Sequence, residues 1–172
     1  MAYRKGQLSI DFYVALIIFL SAIAYVVFQL VQVTPATLNA LREENIRIQA
    51  YQISELLVND GGHPNNWGEP AVPLEDIRRI GFSDTSRNIT NFVSSQKIQR
   101  FKTICDSNYN AILNLLNVDD GLAITIINHD TQTITACRPP SIESQQISVN
   151  ITRVVSIDGS SLGEILVEVW RR

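Results

Sequence analysis

The residues of this chain whose types and spacing suggest chemistry lie close together near the N-terminus. Asp11 places a carboxylate directly before a long apolar run, and two basic residues, Arg4 and Lys5, precede it. A carboxylate at the edge of membrane hydrocarbon is costly unless it meets a cation or stays in the headgroup layer. The pattern therefore indicates either a charge that pairs with a partner at a membrane boundary or an interfacial carboxylate without a specific role.

The rest of the sequence carries no serine-hydrolase, zinc-protease, phosphate-loop or paired-cysteine redox motif. Asp119 and Asp120 stand before Gly121, a combination typical of a turn, and no further ligand follows at the spacing of a calcium loop. The formal net charge of −3 at pH 7 argues against a basic surface for nucleic acid. We therefore expect no enzyme activity, no cofactor, no metal site and no nucleic-acid partner.

The element that must position Asp11 is the apolar run from Phe12 to Val33, which contains no charged residue. As a helix it is about 33 Å long, enough to cross a hydrocarbon core of about 30 Å. The run is longer than the apolar part of a cleaved signal peptide, and residues 34–36 are a poor cleavage site, so we expect the span to stay in the mature protein. The alternative is a buried helix of a soluble protein.

The charges that flank the span predict its orientation. Arg4 and Lys5 precede it, whereas the first basic residue after it is Arg42, which is followed at once by two glutamates. Because the basic side of a span remains in the cytoplasm, we expect a single-pass protein of the cell membrane with a cytoplasmic N-terminus and an extracellular C-terminal part.

The residues at the start of the span carry a more specific pattern, Lys5-Gly6-Gln7-Leu8-Ser9-Ile10-Asp11-Phe12. This octapeptide resembles the junction K-G-Q-x-S-x-[ED]-F of archaeal type IV prepilins, which have a so-called class III signal peptide. Aspartate replaces the commoner glutamate and keeps the charge. The resemblance is tight over residues 4–33 and loose over the rest of the chain.

The resemblance implies a leader of residues 1–6 that a prepilin peptidase removes between Gly6 and Gln7. Glycine before the scissile bond lets the backbone approach the peptidase closely. Residues 7–34 would then form a transmembrane and assembly helix. By the same resemblance, Asp11 would form a salt bridge with the amine of Gln7 in a neighbouring subunit.

The function that the resemblance implies is that of a structural subunit, a pilin or minor pilin, in an archaeal type IV pilus-like surface filament used for adhesion or motility. Its partners would be the prepilin peptidase, other pilin subunits in a homo- or hetero-polymer, and membrane lipid before assembly. Two alternatives stay open: a membrane-resident pseudopilin of a secretion-type apparatus, and a single-pass anchor for an extracellular binding or enzymatic domain.

Residues 35–172 are predicted to form an α+β head that includes a continuation of the first helix. Pro35 is expected to kink or end the first helical stretch. Ile46, Ala50, Ile53 and Leu57 then recur at helical spacing and predict the face that packs on the head. A second helix is predicted over residues 96–117 and a short one over 73–80, with a loop over 83–95.

The C-terminal third has the alternating pattern of β-strands. The predicted strands form two hairpins, 122–128 with 131–137 and 146–157 with 162–170. Their alternation gives one apolar and one polar face, as in an antiparallel sheet covered by helices. We therefore expect a roughly four-stranded antiparallel sheet under two helices, which is a pilin-like architecture.

The predicted head carries residues that can be modified outside the cell. Cys105 and Cys137 are the chain's two cysteines and could form a disulfide. Strict alternation, however, puts Cys137 on the face of the threonines of its strand, away from Ile134, so that either the strand is irregular there or the thiols are free. Two sequons, at Asn88 and Asn150, are candidates for N-glycosylation where they are exposed.

Overall fold

The computed structural model describes residues 10–84, 90–140 and 148–171, without the side chains of residues 33–39. The chain has an α+β fold. Its elements are α1 (Ile10–Asn59), a 3-10 turn (Leu74–Asp76), β1 (Phe92–Val93), α2 (Ser95–Ser107), α3 (Tyr109–Leu116), β2 (Gly121–Asn128), β3 (Thr133–Cys137), β4 (Ser148–Ile157) and β5 (Ser161–Trp170). The chain divides into two compact units, Met1–Arg42 and Glu43–Arg172.

The first unit contains the N-terminal part of α1. Residues Ile10–Gln32 are long and apolar enough to cross a membrane, and no other helix in the described part of the chain is. Every side chain of this segment is exposed in the single chain. Helix α1 continues through Pro35, so of the two expected effects of this proline, a kink or an end of the helix, the end is wrong.

The second unit is built on a mixed sheet of five strands in the order β1-β4-β5-β2-β3. Strands β2 to β5 are antiparallel neighbours, whereas β1 pairs with β4 in parallel. The predicted four-stranded antiparallel sheet is therefore corrected to five mixed strands. The additional strand lies in the segment predicted as a loop, and its two residues are too few to show an alternating pattern.

The core of the second unit lies between the sheet and the helices. The predicted face of α1, comprising Ile46, Ala50, Ile53 and Leu57, is buried. On β4 the buried and half-buried residues alternate with exposed ones as the sequence predicts. Ile165, Val167 and Val169 of β5 are completely buried on the same side.

The predicted helix over residues 96–117 is in fact two helices, because Asn108 lies between them with a non-helical backbone. Its side-chain oxygen accepts a hydrogen bond from the Ala111 amide at 3.1 Å and thereby caps α3. The prediction of a helix over residues 73–80 is also wrong, because only the 3-10 turn Leu74–Asp76 forms there. Arg79 pairs there with His63 in a β-bridge, which draws the backbone away from a helical path.

Candidate functional site

The junction motif lies only partly within the described residues. Arg4, Lys5, Gly6, Gln7 and Ser9 lie outside them, and with them the predicted cleavage site and the predicted partner of Asp11. Asp11 and Phe12 belong to the first described turn of α1, and both side chains are exposed. The carboxylate of Asp11 is therefore accessible to a partner from another molecule.

We call Ile10–Gln32, which is long and apolar enough to cross a membrane, the spanning segment. Its surface is almost entirely apolar, but four polar side chains interrupt it between its centre and its C-terminal end: Ser21, Tyr25, Gln29 and Gln32. Three of them take part in hydrogen bonds within the helix. The hydroxyl of Ser21 donates to the Ile17 carbonyl at 2.7 Å, and the amide of Gln29 donates to the Tyr25 hydroxyl oxygen at 2.6 Å.

In the second unit, Arg153 connects the sheet to α1. Its Nε donates to the hydroxyl of Ser54 at 3.2 Å, one terminal nitrogen forms an ion pair with Glu55, and the guanidinium carbon lies 4.7 Å from the centre of the Tyr51 ring. Sequence reasoning did not identify this cluster. The available signal was an arginine at a core-facing position of β4, two residues before buried Val155.

Lys97 is a second cation that sequence reasoning missed. It lies on α2, is 8% exposed, and donates from its Nζ to the carbonyls of Gly61 and Ser83, both at 2.8 Å. Burial lowers the pKa of this amine, and the nearby carboxylates of Asp84 and Asp60 oppose that shift. The amine satisfies two backbone acceptors of the segment between α1 and α2, which fits a structural role.

The same segment is held by Trp67, which is completely buried. Its indole nitrogen donates to the carbonyls of Gly61 at 3.1 Å and Gly81 at 3.0 Å. Gly62 has a positive φ of 79°, and a Cβ there would collide with the indole, so glycine is required at that position.

Cys105 and Cys137 form a disulfide between α2 and β3, with their Cα atoms 5.8 Å apart. The strand register explains how Cys137 reaches the core although it shares a face with the threonines of its strand. Cys137 pairs with buried Ile124 of β2, so the face that also carries Thr135 is the core face. Ile134 points the other way and is 67% exposed. The expectation that Ile134 marks the core face is therefore wrong.

Comparison with known proteins assigns the chain to a family. The sequence model of a family of unknown function, DUF7287, matches residues 3–170. The chain belongs to the DUF7287 family. No curated protein and no solved structure matches it.

The match of the DUF7287 model runs from residue 3, before the apolar helix, to the end of β5. The matched residues therefore include those of the apolar helix and those of the α+β head. Because the function of the family is unknown, the membership itself adds no activity.

The remaining predicted site residues of this DUF7287 member are the two asparagines of the sequons. Asn150 is exposed on β4, opposite Glu168 of β5, on the face away from the core. Asn88 lies outside the described residues. Within residues 10–84, 90–140 and 148–171, no three histidine, cysteine or acidic side chains come together as a metal site.

Proposed function

We propose that this chain is a structural subunit, a pilin or minor pilin, of an archaeal type IV pilus-like surface filament. The observation that carries the proposal is the order of its parts. The sequence KGQLSIDF directly precedes an exposed apolar helix of membrane-spanning length, and the same α1 helix supplies the core face of an α+β head.

Each part has a physical role in such a subunit. The basic residues Arg4 and Lys5 keep the N-terminus in the cytoplasm, where a prepilin peptidase cleaves after Gly6. The apolar surface of Ile10–Gln32 is embedded in the lipid bilayer before assembly and is buried against other subunits in the filament. The head lies on the extracellular side, where the Cys105–Cys137 disulfide is stable.

Asp11 would provide specificity in assembly. Cleavage creates a new positive amine on Gln7, and a carboxylate in an apolar filament core is stabilised by such a partner. Each incoming subunit would thus satisfy one buried charge of its neighbour, which favours a single register along the filament.

The experiment that tests the proposal compares Gly6→Val with Leu8→Val in the full-length chain. A branched side chain at position 6 prevents the close backbone approach that the peptidase needs, so we expect Gly6→Val to remain as a precursor in the membrane. Position 8 is variable in the junction pattern, so Leu8→Val serves as the control. Normal maturation of Gly6→Val, or filaments built from its uncleaved chain, would contradict the proposal.

A further inference from the structure

The four polar side chains toward the C-terminal end of the spanning segment lie on one side of the helix. Ser21, Tyr25 and Gln29 follow each other at intervals of four residues, and Gln32 follows three residues later. At about 100° per residue, all four lie within an arc of about 80°. We call this surface, Ser21, Tyr25, Gln29 and Gln32, the polar stripe.

The opposite side of the segment is purely apolar. It carries Leu16, Leu20, Ile23 and Val27, whose side chains are all exposed in the single chain. Ala22 and Ala24 flank the polar stripe on its two sides and leave room for close approach of another helix. The segment thus has one side suited to lipid and one suited to a polar contact.

The polar stripe has hydrogen-bonding capacity beyond the bonds that α1 makes internally. A primary amide has two N–H donors and a carbonyl acceptor with two lone pairs, and the bond from Gln29 to Tyr25 uses one of those donors. Hydrocarbon supplies no water to satisfy the other groups of Gln29, so exposure of this amide to lipid is costly, whereas Gln32 lies at the end of the segment. A second helix that offers matching polar groups at the same depth removes that cost.

The partner that fits best is a second copy of this chain. Amides are both donors and acceptors, so the polar stripe is complementary to an identical stripe. In two copies inserted with the same orientation, Gln29 of one copy lies at the same depth in the bilayer as Gln29 of the other, and the same holds for Gln32. We propose that the polar stripe pairs two copies of the chain side by side in the membrane. This contact requires α1 to span a bilayer, but neither leader cleavage nor filament assembly.

The test uses oxidative crosslinking of the full-length chain in phosphatidylcholine vesicles. The two native cysteines form the disulfide, so an introduced cysteine is the one free thiol. Ser21→Cys places this thiol on the polar stripe, whereas Leu20→Cys places it at nearly the same depth on the apolar side. We expect Ser21→Cys to form crosslinked dimers at least about tenfold faster than Leu20→Cys, and equal rates would overturn the proposal.

The role of the amides is tested in the Ser21→Cys chain. Adding Gln29→Leu and Gln32→Leu, which favour insertion, is expected to reduce dimer formation about tenfold at high lipid dilution. As a control, adding Val27→Leu and Leu30→Val exchanges two apolar residues away from the polar stripe and should leave dimer formation unchanged. Undiminished dimers in the leucine variant would overturn the proposal.

A Gly6→Val version of the Ser21→Cys chain separates this inference from the proposed function. We expect the uncleaved chain to crosslink as fast as the cleaved one. Loss of crosslinking in the uncleaved chain would overturn the claim that pairing does not require leader cleavage. Conversely, crosslinking in a chain that never matures or forms filaments would support the pairing while the proposed function failed.

Discussion

Two cations of the head, buried Lys97 and half-buried Arg153, donate hydrogen bonds to polar groups on other elements. Lys97 donates to two backbone carbonyls of the segment between α1 and α2, and Arg153 donates to Ser54 and Glu55 of α1. Neither amino acid is common in a core, and a pattern of apolar residues does not reveal which charges fold inward. These contacts could not be predicted because the partners are distant in sequence and include backbone atoms.

Lys97→Met is expected to destabilise the head by about 1–3 kcal/mol, because it leaves the Ser83 carbonyl without its buried donor and the Gly61 carbonyl with the Trp67 indole alone. The free energy of unfolding is measured by denaturant titration of the full-length chain in detergent. The control is Lys102→Met on the same helix, where the amine forms an exposed i,i+4 ion pair with Asp106 worth about 0.5 kcal/mol or less. Equal effects of the two substitutions would contradict the role assigned to Lys97.

The lowered pKa of Lys97 also predicts a pH dependence. The ordinary pKa of this amine is 10.5, and burial in the folded head lowers it. Between the two pKa values, the unfolded chain therefore binds more protons at this amine than the folded chain does. The contribution of Lys97 to the free energy of unfolding therefore increases as the pH rises from the folded pKa toward 10.5. A neutral amine still offers two N–H donors, so both hydrogen bonds persist. We expect this increase in the wild type and not in Lys97→Met.

At Asp11 the predicted effect concerns assembly and not folding. Asp11→Ala should leave leader cleavage and membrane insertion intact while it reduces the chain's abundance in sheared filaments, since the amine of Gln7 loses its partner. Asp11→Glu keeps the charge and should assemble normally. Immunoblots of membrane and sheared fractions measure both effects. Wild-type amounts of Asp11→Ala in the filaments would rule out the assembly salt bridge.

At the scale of elements, the sequence predicts regular patterns well and interruptions poorly. The apolar face of α1 at residues 46–57 and the alternation of β4 follow from periodicity alone. The break at Asn108 and the two-residue β1 depend on a single cap and on a partner strand. The side of β3 that faces the core depends on register, because half-buried Thr135 and buried Cys137 lie on the core side and Ile134 faces outward.

The disulfide between α2 and β3 closes a loop with a sequence separation of 32 residues. Replacing Cys105 and Cys137 by alanine together is expected to lower the free energy of unfolding by about 3–4 kcal/mol, since the unfolded chain regains the freedom that the crosslink removes. Thermal unfolding of the full-length chain provides the measurement. A reducing agent should destabilise the wild type to a similar extent and leave the double variant unchanged. Insensitivity of the wild type to reduction would argue against this bond.

At the scale of the whole molecule, one helix of membrane-spanning length and one α+β head belong to the same DUF7287 chain. Among the described residues of the head, no three histidine, cysteine or acidic side chains come together as a metal site. Lys97 and Arg153 form hydrogen bonds within the head itself. The functional proposal therefore depends on the N-terminal junction, where the sequence is specific and where residues 4–9 precede the described part of the chain.

The most direct test of this account is the N-terminal residue of the mature protein, determined by mass spectrometry of the membrane fraction and of the sheared surface fraction. We predict a chain that begins at Gln7 in both fractions, since an assembled subunit must have lost residues 1–6. A chain that begins at Met1 or Ala2 in both fractions would contradict the prepilin proposal and leave a single-pass anchor with an extracellular head.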